Sequence, residues 1–173
     1  MKENIRKYIK RYKEILENIE SVQTAIDFCV ENNRDEILSL NRDQMLYGRD
    51  ANGNILTPDY HNDPYFETKE AAEKYAQHKY DIESEHESLI KHKNIYGKKP
   101  KDTPNILITG RWFQNEMYIL TRSKSFELGS TGIKARQIEE KYNPVLGLSP
   151  ESKQYFWIKY LRYEILKHLG FKK

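Results

Sequence analysis

The sequence predicts an α+β fold with a long N-terminal helix, a central mostly antiparallel sheet with an inserted helix, and a C-terminal helix packed on the sheet. Three observations lead to this prediction. Apolar residues recur at helical spacing through residues 4–31, short apolar runs broken by turn residues fill 106–128, and a helix-start signal stands at 149–151. We expect residues 1–34 to form an amphipathic helix and residues 35–173 to form a single α+β domain.

Composition limits the classes of function. Among the 173 residues, 29 basic side chains nearly balance 26 acidic ones, and the net charge of +3 is too small for a general nucleic-acid binder. The single cysteine, Cys29, falls at an apolar position of the helical pattern, where we expect a small buried hydrophobe. No signal peptide and no apolar run long enough to span a bilayer is evident, so we expect a soluble protein made in the cytoplasm.

The N-terminal helix has a seven-residue repeat of apolar side chains. Ile5, Tyr12, Ile19 and Ile26 are seven apart, and the segment contains neither Gly nor Pro. We expect the helix to end near Asn33 in a left-handed conformation. Its apolar face needs a covering surface, which is either the chain's own domain or the same helix of a neighbouring subunit.

Residues 36–60 predict a strand or short helix followed by a hairpin. Residues 50–54 have turn chemistry, and Gly53 suits a positive φ. The alternating polar residues also resemble the opening of a calcium loop. That loop would need an acidic residue at its twelfth position, where His61 stands, so the turn is the preferred interpretation.

The rest of the chain predicts three more helices and three strands. Thr68 is expected to cap a helix over 69–82, strands are expected at 106–108, 116–121 and 124–128, and a short charged helix follows at 133–141. Ser149, with Pro and Glu behind it, predicts the start of the C-terminal helix, which is expected to end near residue 168.

No arrangement of residues indicates catalysis. The histidines lack the spacing of a zinc site and are expected to be solvated; they are His61, His78, His86, His92 and His168. No Cys-x-x-Cys pair, no serine elbow and no phosphate-binding glycine loop occurs. We therefore expect no enzyme, no catalytic residue, no metal and no cofactor.

Two basic clusters are candidate partner surfaces. The first lies at the start of the N-terminal helix and includes Lys7, Lys10, Arg11 and Tyr12, and the second includes Lys98 and Lys99 close to Tyr96. Interleaved Lys and Tyr could bind phosphates and stack bases, or could form a solvated or intersubunit face. Thirteen tyrosines and two tryptophans favour assembly, because interfaces are enriched in these residues.

Three segments resemble phage tail-completion proteins, which are also described as head-tail joining, minor tail or neck proteins. They are the Thr-Gly element within 102–119, the segment 36–55, and the segment 141–149 before the C-terminal helix. The residues that carry the resemblance, which we expect to be structural, are Gly48, Gly53, Thr109, Gly110, Trp112, Phe113, Gly147 and Ser149.

The resemblance implies a structural virion protein of a tailed bacteriophage or prophage. Such a head-tail connector protein would assemble as a ring oligomer that joins or closes the head-tail passage, beside portal, neck or tail proteins, with genome DNA only as passing cargo. It would be located in the virion, and in the host cytoplasm before assembly. The alternative is a nucleic-acid-binding accessory protein that uses the two Lys/Tyr clusters.

Overall fold

The computed structural model describes residues 2–85, 90–99, 102–107, 116–122, 125–142 and 144–169, and it describes side chains from residue 9 onward apart from 133 and 134. Four of the predicted structural residues, Thr109, Gly110, Trp112 and Phe113, lie outside these ranges. No helix in the described part of the chain is long and apolar enough to cross a membrane.

The α+β class is confirmed, with a long N-terminal helix, an antiparallel sheet and a C-terminal helix. The first elements are α1 (Lys2–Asn32), α2 (Arg34–Leu46), α3 (Lys69–Glu85), β1 (Met117–Arg122), β2 (Ser125–Ser130) and α4 (Ile133–Tyr142). The C-terminal helix is made of α5 (Pro150–Phe156), a π-helical turn (Trp157–Leu161) and α6 (Arg162–His168).

The junction of α1 and α2 differs from the prediction. Asn33 has φ −124° and ψ 28°, so it is not left-handed, and α2 begins at the next residue. The Asn33 amide donates a 2.7 Å hydrogen bond to the carbonyl oxygen of Cys29, which satisfies an otherwise unpaired group at the end of α1. The chain can therefore turn into a second helix without a left-handed residue.

The sheet is a hairpin of β1 and β2 in the part of the chain that the structure describes. Met117 pairs with Ser130 and Arg122 with Ser125, which confirms the two later strand predictions. The strand predicted at 106–108 is wrong for its first two residues, since Ile106 has φ +53°. The N–H of Leu107 donates to the Asn105 side chain at 3.0 Å, so a side chain takes the place of a strand partner.

Two adjoining apolar clusters form the core. One surrounds Leu107 and Val145, and the other joins Cys29 of α1, Ile119 of β1 and Phe156 of α5. The C-terminal helix therefore packs on the sheet, as predicted. Burial raises the pKa of the Cys29 thiol to about 11, which fits the expected small hydrophobe.

Local signals in the sequence placed three turns and helix starts correctly. The carboxylate of Asp50 accepts hydrogen bonds from the backbone N–H of Asn52 and Asn54, both at 2.8 Å, which is a turn and not an ion site. Thr68 accepts from the N–H of Ala71 at the start of α3. Ser149 accepts from Ser152 N–H at the start of α5.

Candidate functional site

The N-terminal part of α1 projects from the domain. All residues from 9 to 20 are exposed. Ser21, the next residue, is partly buried, and its hydroxyl donates to the carbonyl oxygen of His168 at 3.1 Å. At a rise of 1.5 Å per residue, residues 9–20 make about 18 Å of helix. This length of helix is surrounded by solvent in the described chain.

The projecting segment carries an uncovered apolar face, which we call the α1 stripe. Its members follow one another at spacings of three, three, one and three residues, so they share one side of the helix. They are Ile9, Tyr12, Ile15, Leu16 and Ile19, each between 46% and 67% exposed. A helix with such a face ordinarily packs it against another surface. The α1 stripe is therefore the main candidate for a partner-binding surface.

The first predicted basic cluster lies on the same segment. Lys10, Arg11 and Tyr12 are exposed, and Tyr12 belongs to the α1 stripe. The side chain of Lys7 lies outside those described. Lys10 approaches Glu14 only to 4.0 Å, and both side chains are more than half exposed, so this ion pair contributes little to stability. The cations are thus free to meet an acidic partner.

The second predicted cluster has an exposed cation at Lys98, but Tyr96 and Lys99 do not form a base-stacking surface with it. Tyr96 is buried, and its hydroxyl donates to the carbonyl oxygen of Leu40 at 2.8 Å and lies 2.9 Å from the hydroxyl of Ser152. Lys99 is half-buried and forms an ion pair with Glu83. Burial lowers the pKa of Lys99, although the hydrogen bond to the carboxylate opposes this. The base-stacking alternative therefore does not fit Tyr96, because the ring is part of the interior.

Gly147 and Ser149 join α2 to the C-terminal helix. The carbonyl oxygen of Gly147 accepts from the side-chain amides of Asn41 at 2.7 Å and Gln44 at 2.6 Å. The side-chain oxygen of Gln44 accepts from the N–H of Ser149 at 2.8 Å and from the hydroxyl of Ser152 at 3.1 Å. These groups are hydrogen-bonded away from solvent, so the contribution of the two predicted residues is structural.

Gly48 and Gly53 are also structural. Gly48 has φ +67°, and a Cβ atom there would lie 2.0 Å from Cγ2 of Thr103. Gly53 has φ +85° in the turn held by Asp50. Left-handed backbone favours glycine at both positions, and close packing adds a second reason at Gly48.

His92 is buried between two carboxylates, which corrects the prediction that it is solvated. Its Nδ1 lies 2.7 Å from Asp43 and its Nε2 lies 3.1 Å from Glu36. Asp43 also accepts from the N–H groups of residues 91 and 92, and Glu36 accepts from the Tyr160 hydroxyl at 2.8 Å. These hydrogen bonds and ion pairs connect the segment 90–99 to α2.

The two carboxyl groups around His92 have shifted pKa values. Burial raises the pKa of Asp43, and it opposes the hydrogen bonds from Tyr160 and His92 that together lower the pKa of Glu36. Both ring nitrogens of His92 already have carboxylate partners, on opposite sides of the ring. The ring is therefore held on both sides in the interior of the protein.

The other histidines lie in different environments. His61 and His78 are exposed, as predicted, His168 is half-buried, and His86 lies outside the described residues. Within those residues no group of three or more His, Cys, Asp or Glu side chains could hold a metal ion.

Comparison with known proteins gives no assignment: no family model, no curated protein and no solved structure matches this chain. The resemblance to tail-completion proteins rests on the sequence segments alone.

Sequence reasoning missed a pocket beside α3. Its most unusual member is Lys79, which is only 3% exposed. Lys79 follows Ala72 and Ala76 at spacings of four and three residues, and these three residues form the buried face of α3. A lysine at an apolar position of the helical pattern was the signal that could have found it.

Proposed function

We propose that this chain is a structural assembly protein whose partner surface is the α1 stripe. The observation that carries the proposal is the uncovered apolar face on residues 9–19 of a helix anchored firmly at its other end. From the resemblance described above, we infer that the assembly is a ring at the neck or tail top of a tailed phage. In that role the chain works by shape and charge complementarity between subunits.

The size of the α1 stripe indicates what the partner must provide. Fully burying a large apolar side chain stabilises by about 1.5 to 3 kcal/mol, so covering the exposed half of the four aliphatic side chains and of Tyr12 contributes about 5 kcal/mol. Association costs about 4 to 15 kcal/mol. One stripe against a polar surface therefore does not suffice. Burial of two apolar surfaces against each other contributes about 10 kcal/mol, which lies within the range of the association cost. This favours a partner that exposes an apolar face of its own.

The charge pattern of α1 favours a subunit of the same kind as that partner. Lys10, Arg11 and Lys13 are followed by Glu14, Glu17 and Glu20. Neighbouring copies that meet head-to-tail or antiparallel would oppose unlike charges around the apolar contact. Nucleic-acid binding has less support, because Tyr96 is buried and Lys99 is paired with Glu83.

The oligomeric state of the full chain tests the proposal. We expect light scattering after size exclusion to give an oligomer for the wild type and a monomer for the double variant Ile15→Ser, Ile19→Ser. The matched control is Asn18→Ser, Thr24→Ser, which changes two exposed, uncharged side chains away from the α1 stripe on the same helix and leaves the net charge unaltered. We expect the control to remain oligomeric.

The outcomes separate assembly from a solvated helix. Circular dichroism should show the same helix content in all three proteins, since the replaced side chains are exposed. A wild type that is monomeric at every concentration, and that binds no neck or tail protein when expressed with it, would overturn the proposal. Salt-dependent DNA binding by that monomer would favour the nucleic-acid alternative instead.

A further inference from the structure

A cavity of about 410 Å³ lies between α3, α4 and the connection that precedes α3. Its walls are largely aromatic, and the rings contact one another. The ring centroids of Tyr60 and Tyr75 are 5.6 Å apart in an edge-to-face arrangement, and those of Phe66 and Tyr75 are 5.0 Å apart. Tyr65 and Tyr142 also line the cavity. The volume is within the range of small-molecule sites, and the ring surfaces suit a flat apolar body.

The charged side chains of this cavity leave one positive charge unmatched. Lys141 forms an ion pair with Asp63, so these two compensate each other. Lys79 is almost fully buried, and its Nζ donates to the carbonyl oxygen of Leu107. Among the described residues Lys79 forms no ion pair with a carboxylate; the charge of Glu83 acts on Lys79, but Glu83 is the ion-pair partner of Lys99.

A buried ammonium without a counter-ion is costly, and proteins ordinarily pair it or neutralise it. Burial, with a smaller contribution from the charge of Lys99, lowers the pKa of Lys79 to about 8. An anion that enters the cavity would supply the missing partner. The geometry thus combines an aromatic enclosure with a single buried cation.

We propose that this cavity binds a small organic carboxylate with a flat apolar body, whose carboxylate pairs with Nζ of Lys79 while the body packs against the aromatic rings. One unmatched cation fits a monoanion. A phosphate monoester carries more charge than Lys79 alone can match, since Lys141 is already paired. The site is independent of assembly through the α1 stripe, which lies on a different element.

Calorimetric titration of the full chain tests the proposal with three probes: phenylacetate, its uncharged isostere phenylacetamide, and inorganic phosphate. We expect phenylacetate to bind about tenfold or more tightly than phenylacetamide, because only the carboxylate compensates the buried charge. Lys79→Met should remove this preference. The matched control Lys98→Met, which replaces an exposed lysine, should keep it.

A second measurement covers the case in which Lys79→Met does not fold. In the wild type, phenylacetate should slow acetylation of the Lys79 amine, followed by peptide mass spectrometry, and leave acetylation of Lys98 unchanged. Equal affinities for the acid and the amide, equal protection by inorganic phosphate, or no protection at any accessible concentration would each overturn the proposal. The oligomeric state plays no part in either readout, so failure here is distinct from failure of assembly.

Discussion

The substitution Lys79→Met should change how stability depends on pH. The pKa of Lys79 is 10.5 in its ordinary state and about 8 in the folded protein, where burial disfavours the charged amine. At pH values between these two pKa values, this amine binds more protons in the unfolded chain than in the folded chain. The free energy of unfolding therefore rises with pH across this window, and it ceases to rise once the amine is neutral in both states.

The magnitude follows from the two pKa values. At pH 8 the folded amine is half protonated and the unfolded amine almost fully so; at pH 10 the folded amine is neutral while much of the unfolded amine remains charged. The linkage relation gives a gain of about 2 kcal/mol between pH 8 and pH 10 from this residue. Lys79→Met lacks this contribution. Its absolute stability is a poorer readout, because the Leu107 carbonyl also loses its hydrogen-bond donor.

Urea denaturation of both proteins at the two pH values supplies the assay. The wild type should gain about 2 kcal/mol more than Lys79→Met between pH 8 and pH 10. Raised pKa values at Cys29 and Tyr60 act in the opposite direction and Lys99 acts in the same direction, but these groups are in both proteins and cancel in the difference. The charged groups around the amine are likewise shared: Lys99 and Glu83 act on its charge, and Asp63 and Lys141 line the same cavity. Parallel stability curves for the two proteins would show that Lys79 is not buried as described.

Two further predictions concern assembly and backbone strain. Reversal of Lys7, Lys10 and Arg11 to Glu should impair assembly in light scattering. It should leave the melting temperature unchanged, since the charges of Lys10 and Arg11 are exposed and contribute little to stability. Normal assembly of this variant would show that the cluster is a solvated face. Gly48→Ala should destabilise the fold by about 2 to 5 kcal/mol in urea, through both left-handed strain and the clash with the neighbouring loop. Gly97→Ala, at φ +68° with nothing within 4 Å, isolates the strain and should cost less.

Local signals were sufficient where the sequence prediction succeeded. The turn around Gly53 and the helix start at Ser149 depend on residues within four positions of each other, so their chemistry can be read from one short segment. The bounds of α1 follow in the same way from a long uninterrupted periodicity. These elements require no knowledge of the rest of the chain.

The interior around α2 could not be predicted in this way. The buried residues of α2 include Asn41, Asp43 and Gln44. Their polar side chains obscure the apolar periodicity that marks a helix. Their partners are about 50 to 105 residues away in the sequence, at His92 and Ser149. Polar groups in such positions look solvent-facing until the fold brings their partners to them. For the same reason His92 was expected in solvent.

The two halves of α1 have similar sequence patterns and different environments. Ala25, Cys29 and Val30 enter the core, whereas Ile9 to Ile19 repeat the apolar spacing in solvent. A helix of the second kind gains little from its own domain, because helical stability in proteins comes mainly from packing of the apolar face. The anchored half therefore fixes the register and direction of the helix. The exposed half keeps an apolar surface that the folding of this chain alone does not require. Removing that surface should change assembly before it changes the fold.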